Sequence, residues 1–147
     1  MQSQKRKIAS ILIVDDEQGV RESLRMILKP SYNTYLSQSG EEALIFIQKN
    51  KVDLVLLDLR MPGLSGLDTL REIKKINPNI DVIIITAYGT IGNTQEAIVG
   101  RVKDFITKPF DVSDVLHAVN QTIKKRFDSL KTEAIFQEIR TFYESEG

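Results

Sequence analysis

Three acids, a hydroxyl and a lysine stand at the ends of apolar runs. Asp15 and Asp16 follow Ile8–Val14, Asp58 follows Leu54–Leu57, Thr86 follows Val82–Ile85, and Lys108 follows Val102–Thr107. An acid directly after a run buried on both faces is costly unless paired. Three carboxylates brought together do not all stay ionised unaided, because repulsion raises at least one pKa. A hard divalent cation resolves this. Mg2+ takes oxygen ligands, accepts one or two carboxylates, keeps several waters and favours phosphate oxygens. Three negative charges then meet two from the metal and one from Lys108, and an anionic phosphoryl group is admitted. A carboxylate is itself a nucleophile toward phosphoryl, already ionised near neutral pH. Catalysis then rests on positioning and charge neutralisation. In this reading Asp58 is the nucleophile, Asp15 and Asp16 hold the metal, and Lys108 and the Thr86 hydroxyl contact phosphoryl oxygens.

The elements that must converge these residues are legible as an alternation. Apolar runs at Ile8–Val14, Tyr32–Ser37, Val52–Asp58, Asp81–Thr86 and Val102–Thr107 read as strands. Between them, Val20, Leu24 and Ile27 recur at helical spacing until Pro30 stops the pattern. Ser39 and Glu42 form a capping-box pattern ahead of Ala43, Leu44 and Ile47. Ser65 caps a helix carrying Leu67, Leu70 and Ile73, which Asn77-Pro78 ends. A fourth helical segment, Thr90–Val99, has low propensity because of Gly92 and its β-branched residues. A long helical pattern starts at Asp111. Strict strand–helix alternation predicts an α/β fold, a parallel sheet with helices on both faces. Strands one, three and four read as central, whereas two and, less so, five read as edges. In such sheets ligands bind beyond the carboxyl ends of the strands, where strand order reverses.

The bulk properties narrow the function classes. The 147-residue chain has a formal net charge of zero and no cysteine. That gives no basis for broad attraction to nucleic acid or anionic membrane, and it excludes disulfides and thiolate chemistry. A reducing cytoplasm fits. Lys5-Arg6-Lys7 before an apolar run imitates a signal peptide, but the run ends in Asp15-Asp16-Glu17 with no small-residue cleavage site. No segment approaches transmembrane length.

Four segments in order carry a family resemblance: Ile13-Val14-Asp15-Asp16-Glu17, Asp58-Leu59-Arg60-Met61-Pro62-Gly63-Leu64-Ser65-Gly66, Ile85-Thr86-Ala87, and Asp104-Phe105-Ile106-Thr107-Lys108-Pro109-Phe110. Together they resemble the receiver domain of two-component response regulators. The resemblance covers about residues 8–125. It implies a flavodoxin-like, doubly wound five-stranded parallel sheet in the order 2-1-3-4-5. It makes Asp58 the phospho-acceptor, with Mg2+ held by Asp16, Asp58 and the Arg60 carbonyl and by Asp15 directly or through water. Thr86 becomes the switch hydroxyl, Phe105 the switch aromatic, and Lys108-Pro109 a cis peptide. A sensor histidine kinase is the implied phosphodonor, and the face of the fourth helix, fifth strand and fifth helix the implied output. Thr86-Ala87-Tyr88-Gly89-Thr90 is similar to receivers of ATPase-type transcription activators. Arg101 departs from the alanine common there.

Blander roles exist for each residue taken singly. Asp15 and Asp16 suit helix N-caps, Thr86 a strand end, Lys108 a solvated lysine, and Gly63 and Gly66 a turn. The concordance of four segments favours the functional reading. His117 has no second histidine with which to hold a metal and reads as a plain helix residue. Tyr88, two residues past Thr86, is placed to screen the site from water. An ordinary hydrolase on this sheet is disfavoured, since no glycine-rich phosphate loop follows strand one and Arg60 stands where aspartate-nucleophile phosphatases carry a second acid.

The expected organisation is a disordered N-terminus over 1–7, a receiver domain over 8–125, and a helical extension or linker over 126–147. From Val112 to Glu146 there is no proline or glycine. A single helix over Ser113–Tyr143 spans roughly 46 Å at 1.5 Å per residue. Its apolar residues, Phe127, Leu130 and Ala134, then Ile135, Ile139 and Phe142 on a shifted stripe, want a partner. The expected function is therefore a cytoplasmic, phosphorylation-activated signalling switch that catalyses only its own phosphorylation and dephosphorylation. Its expected partners are the kinase and a second copy, with no direct nucleic-acid or membrane contact. The alternative is a phosphorylation-independent dimerisation module built on the tail.

Overall fold

The computed structural model describes residues 9–87 and 101–146. The sequence readings at Lys5–Lys7, Tyr88 and the fourth helical segment Thr90–Val99 lie outside the described residues.

In chain order the elements are β1 (Ser10–Val14), α1 (Gln18–Leu28), β2 (Asn33–Ser37), α2 (Gly40–Lys49), β3 (Leu54–Leu57), α3 (Gly66–Ile76), β4 (Asp81–Ala87), β5 (Asp104–Lys108) and α4 (Val112–Glu146). The five strands form one parallel sheet in the order β2-β1-β3-β4-β5. This is the flavodoxin-like arrangement expected from the sequence, with β2 and β5 at the edges.

Alternation along each central strand builds two cores. Ile11 and Ile13 of β1, Leu54 and Leu56 of β3, and Ile83 and Ile85 of β4 pack with Leu24 and Leu28 of α1 and Val115, Val119 and Ile123 of α4. Leu12, Val14, Val55, Leu57, Val82 and Ile84 face the other way, onto Ala43 and Ile47 of α2 and Leu70 and Ile73 of α3. Strands buried on both faces need apolar residues at every position, which is why they read as continuous runs.

Local signals set the helix ends. Ser65 Oγ accepts the Asp68 N–H at 3.2 Å, and α3 stops before Pro78. Ser39 Oγ accepts the Glu42 N–H at 3.1 Å. The reciprocal arm of the capping box differs from expectation: Glu42 Oε2 accepts from Gln38 N at 2.9 Å, one residue earlier. The Asp15-Asp16 pair does not cap α1, whose N-cap position is Glu17. β5 begins at Asp104 rather than Val102, and Lys108 is its last residue. The 35-residue α4 is unbroken. His117 lies on its exposed side, as a plain helix residue.

Candidate functional site

Strand order reverses across β1, which lies between β2 and β3. Register places Val14 beside Leu57, so Asp15 and Asp58 leave adjacent strands together. The Asp58 N–H donates to Val14 O at 3.0 Å, continuing the ladder past the end of β3. On the far side, β4 runs on to Ala87, which is paired with Lys108. One edge of the sheet thus presents two acids, a hydroxyl and an ammonium from four strands.

The contacts are direct. Lys108 Nζ donates to Asp15 Oδ2 at 2.6 Å and to Asp58 Oδ2 at 3.0 Å. The Thr86 hydroxyl donates to Asp58 Oδ1 at 2.9 Å. The Arg60 N–H reaches the same oxygen at 3.0 Å. Asp15, Asp58 and Thr86 are all buried, so their charges and dipoles act with little solvent screening. Burial pushes the Asp15 carboxyl above its ordinary pKa; Lys108 and the Glu17 N–H draw it back only in part. Burial also pulls the Lys108 ammonium down, but its bonds to Asp15 and Asp58 outweigh this and hold its pKa above the ordinary lysine value.

The loop after Asp58 is shaped by close approach. A Cβ at Gly66 would sit 2.2 Å from Asp58 O and 2.3 Å from Leu59 Cα. Only glycine lets the start of α3 pack against the strand end. The Gly66 N–H closes the loop on Leu59 O at 3.1 Å. Gly63 has φ +75°, a left-handed conformation that glycine adopts without steric cost.

The sequence-predicted residues fall into two groups. Asp15, Asp58, Thr86 and Lys108 are brought into one bonded cluster. Asp16 is exposed at the rim, where its carboxylate lies with those of Asp15 and Glu17, ligand oxygens all within 4.8 Å of one another. Hard carboxylate oxygens of this kind suit Mg2+; Asp58 is not part of this group. Arg60 is exposed, with its N–H on Asp58. Phe105 is half-buried in β5, against the α2–α3 side of the core. Lys108-Pro109 is cis. Arg101 is exposed.

Three contributors escaped the sequence reading. Glu17 was legible only as the third acid of its run. Arg21 Nη1 donates to Asp15 O at 2.7 Å, one helical turn into α1. Glu41 Oε1 accepts the Leu64 N–H at 2.8 Å and so braces the loop beyond Asp58. The last two contacts join segments with no shared local pattern.

The profile of the family described as "Response regulator receiver domain" matches residues 11–120. Sporulation initiation phosphotransferase F of Bacillus subtilis is 40% identical over 112 residues, covering 76% of this chain and 90% of that protein. Transcriptional regulatory protein GlrR of Escherichia coli is 36% identical over 120 residues; the match covers 81% of this chain but 27% of GlrR. Among solved structures, a response regulator receiver domain protein from Clostridium thermocellum superposes with a TM-score of 0.74 at 35% identity, covering 81% of this chain and 97% of that one.

Proposed function

The chain belongs to the response regulator receiver domain family, and from that premise we propose that it is a signalling switch phosphorylated on Asp58 by a sensor histidine kinase. An Asp58 carboxylate oxygen attacks the phosphorus of a phosphohistidine; the new O–P bond forms as the P–N bond breaks and the imidazole leaves. The observation that carries this reading is the Asp58 carboxylate itself, buried at the strand end, with Lys108 on one oxygen and Thr86 on the other. Asp15, Asp16, Asp58 and the Arg60 carbonyl would hold Mg2+, which when bound neutralises charge on the phosphoryl oxygens. Lys108 then turns from bridging two carboxylates to pairing with the incoming phosphoryl, and the Thr86 hydroxyl moves from Asp58 to a phosphoryl oxygen. That movement frees space behind Thr86 for Phe105 to turn inward, altering the surface of β5 and α4.

On this reading residues 8–125 form the switch and 126–147 an extension that carries its output, and turnover is confined to the chain's own phosphorylation and hydrolysis. A second copy covers the switch face or the tail. Kinship with GlrR supports a place in transcriptional regulation, and kinship with sporulation initiation phosphotransferase F a place in a phosphorelay. Among the described residues no helix is long and apolar enough to cross a membrane; a cytoplasmic setting is part of the same proposal.

The test is incubation with a small acyl-phosphate donor, with and without Mg2+. The expected result is one metal-dependent phosphoryl group per chain, absent from Asp58→Asn. Undiminished labelling of that variant at another residue overturns the assignment. A second reading, a phosphorylation-independent dimerisation module, is favoured by the exposed Phe136, Ile139, Phe142 and Tyr143 of α4. It gains if donor and metal leave dimerisation unchanged.

A further inference from the structure

The edge of the sheet opposite Asp58 carries a second charged cluster, and the switch chemistry does not use it. Arg126 of α4 enters between the N-terminal ends of β3 and β4. Its Nε lies 3.4 Å from Asp53 Oδ1, and its Nη1 3.4 Å from Asp81 Oδ2. Nη1 also donates to Asn79 O at 2.5 Å. The other oxygen of Asp53 accepts the Ser10 N–H at 2.9 Å. One guanidinium therefore ties α4 to the starts of β1, β3 and β4. Side-chain exposure is 15% for Arg126, 8% for Asp53 and 13% for Asp81, so this is no solvated surface pair. Exposed pairs hold little, but removing one partner from a buried set leaves an uncompensated charge. Nη1 makes both hydrogen bonds, to Asn79 O and Asp81 Oδ2, whereas the buried Nε has no hydrogen-bond partner and meets Asp53 as an ion pair only. The planar guanidinium spreads its charge toward all three groups, which a point-charge ammonium does not.

The position of Arg126 along α4 matters as much as its contacts. Ile123 is the last α4 residue buried in the core, and Phe127 is half-buried; from Asp128 to Glu146 every residue is exposed. The clamp sits where the helix leaves the body. Beyond it the core-phase stripe continues through Leu130 and Ala134, and a second stripe of different phase begins at Ile135. At 100° per residue, Ile135, Ile139 and Phe142 lie about 160°, 200° and 140° round the helix from the core residue Val119. This second stripe is turned to the opposite side of the helix from the residues packed on the sheet, whereas Leu130, at about 20°, keeps the core phase.

We propose that Arg126 is a positioning residue that fixes the exit direction and rotational phase of α4, so that the tail presents its second apolar stripe away from its own domain. The second stripe then faces away from the sheet, and pivoting of the helix at the point where it leaves the body requires the clamp to release. The proposal involves no phosphorylation, so its failure leaves the switch reading intact.

The chain contains no cysteine, so a pair of introduced cysteines can be spin-labelled cleanly. Labels at Lys75→Cys on α3 and Gln137→Cys on the tail, in doubly labelled chains diluted into excess unlabelled chain, report the intramolecular distance. The full chain is expected to give one narrow distribution. Arg126→Gln is expected to broaden it about twofold and add shorter distances as the tail unlocks, with Arg126→Lys between the two. Asp81→Asn, isosteric and less disruptive, is the second arm if Arg126→Gln does not fold, and is expected to broaden the distribution in the same sense. A distribution already broad in the parent chain, or one unchanged in both Arg126→Gln and Asp81→Asn, overturns the proposal.

Discussion

The Thr86 hydroxyl and the Asp58 carboxylate are hydrogen-bonded at 2.9 Å across β4 and β3, and Thr86 is fully buried. A buried hydroxyl keeps a bond it has unless a better acceptor arrives. A phosphoryl group on Asp58 supplies that acceptor beside it. Thr86→Val keeps the shape and removes the donor. Labelling of Asp58 is expected to continue, slowed by no more than about tenfold, the equivalent of one lost hydrogen bond. The phosphorylation-dependent change in oligomeric state or partner binding is expected to vanish. Labelling kinetics and solution mass, measured on the same variant, separate the two effects.

Lys108 is the sole side-chain cation bonded to the Asp15–Asp58 pair among the described residues. Replacing it with Met leaves two buried carboxylates facing each other. The expected loss of stability in metal-free buffer is about 3–5 kcal/mol, as for other broken buried pairs. Urea denaturation checks it. Added Mg2+ is expected to restore more stability to Lys108→Met than to the parent chain, because the metal supplies the missing positive charge.

Gly66 tolerates no side chain, since the atoms its Cβ would meet are backbone atoms of Asp58 and Leu59 rather than a movable side chain. Gly66→Ala is expected to cost about 2–4 kcal/mol through a shifted loop, and to slow labelling of Asp58 because the loop carries Arg60. Chemical denaturation and donor labelling test both. Wild-type stability together with a wild-type rate contradicts the packing described.

Much of this arrangement was legible before any coordinates. Doubly buried strands declare themselves as unbroken apolar runs, so β1, β3 and β4 and the residues ending them, Asp15, Asp58 and Thr86, stand out. Less local relationships do not. Glu41 braces a loop more than twenty residues away, and Arg126 meets Asp53 and Asp81 from the far end of the chain; neither contact leaves a periodic trace. Val102 reads as the start of β5 because it is apolar, yet it precedes the paired residues and packs only partly. The Ser39–Glu42 pattern implies the usual reciprocal bond, but the Glu42 side chain accepts the Gln38 N–H instead.

Tyr32 links the entry to β2 with α4 through a hydroxyl bond donated to Asn120. Burial raises its pKa above the ordinary tyrosine value. A group whose folded pKa exceeds its unfolded one contributes stability that is whole below the unfolded value and lost as pH rises through the folded value. The window is therefore alkaline, above about pH 10. Stability is expected to fall there in the parent chain and to fall less steeply in Tyr32→Phe. Parallel pH profiles of the two proteins in urea would contradict the linkage.

The central claim concerns one oxygen atom of Asp58. Intact-mass and peptide-level analysis after exposure to an acyl-phosphate donor, with Mg2+ and again after chelation, measures it most directly. The expected result is a single phosphoryl group on Asp58, formed with Mg2+, not formed when the metal is chelated before the donor is added, and absent from Asp58→Asn. Equal labelling of the parent chain and Asp58→Asn, or labelling that ignores the metal, would contradict it.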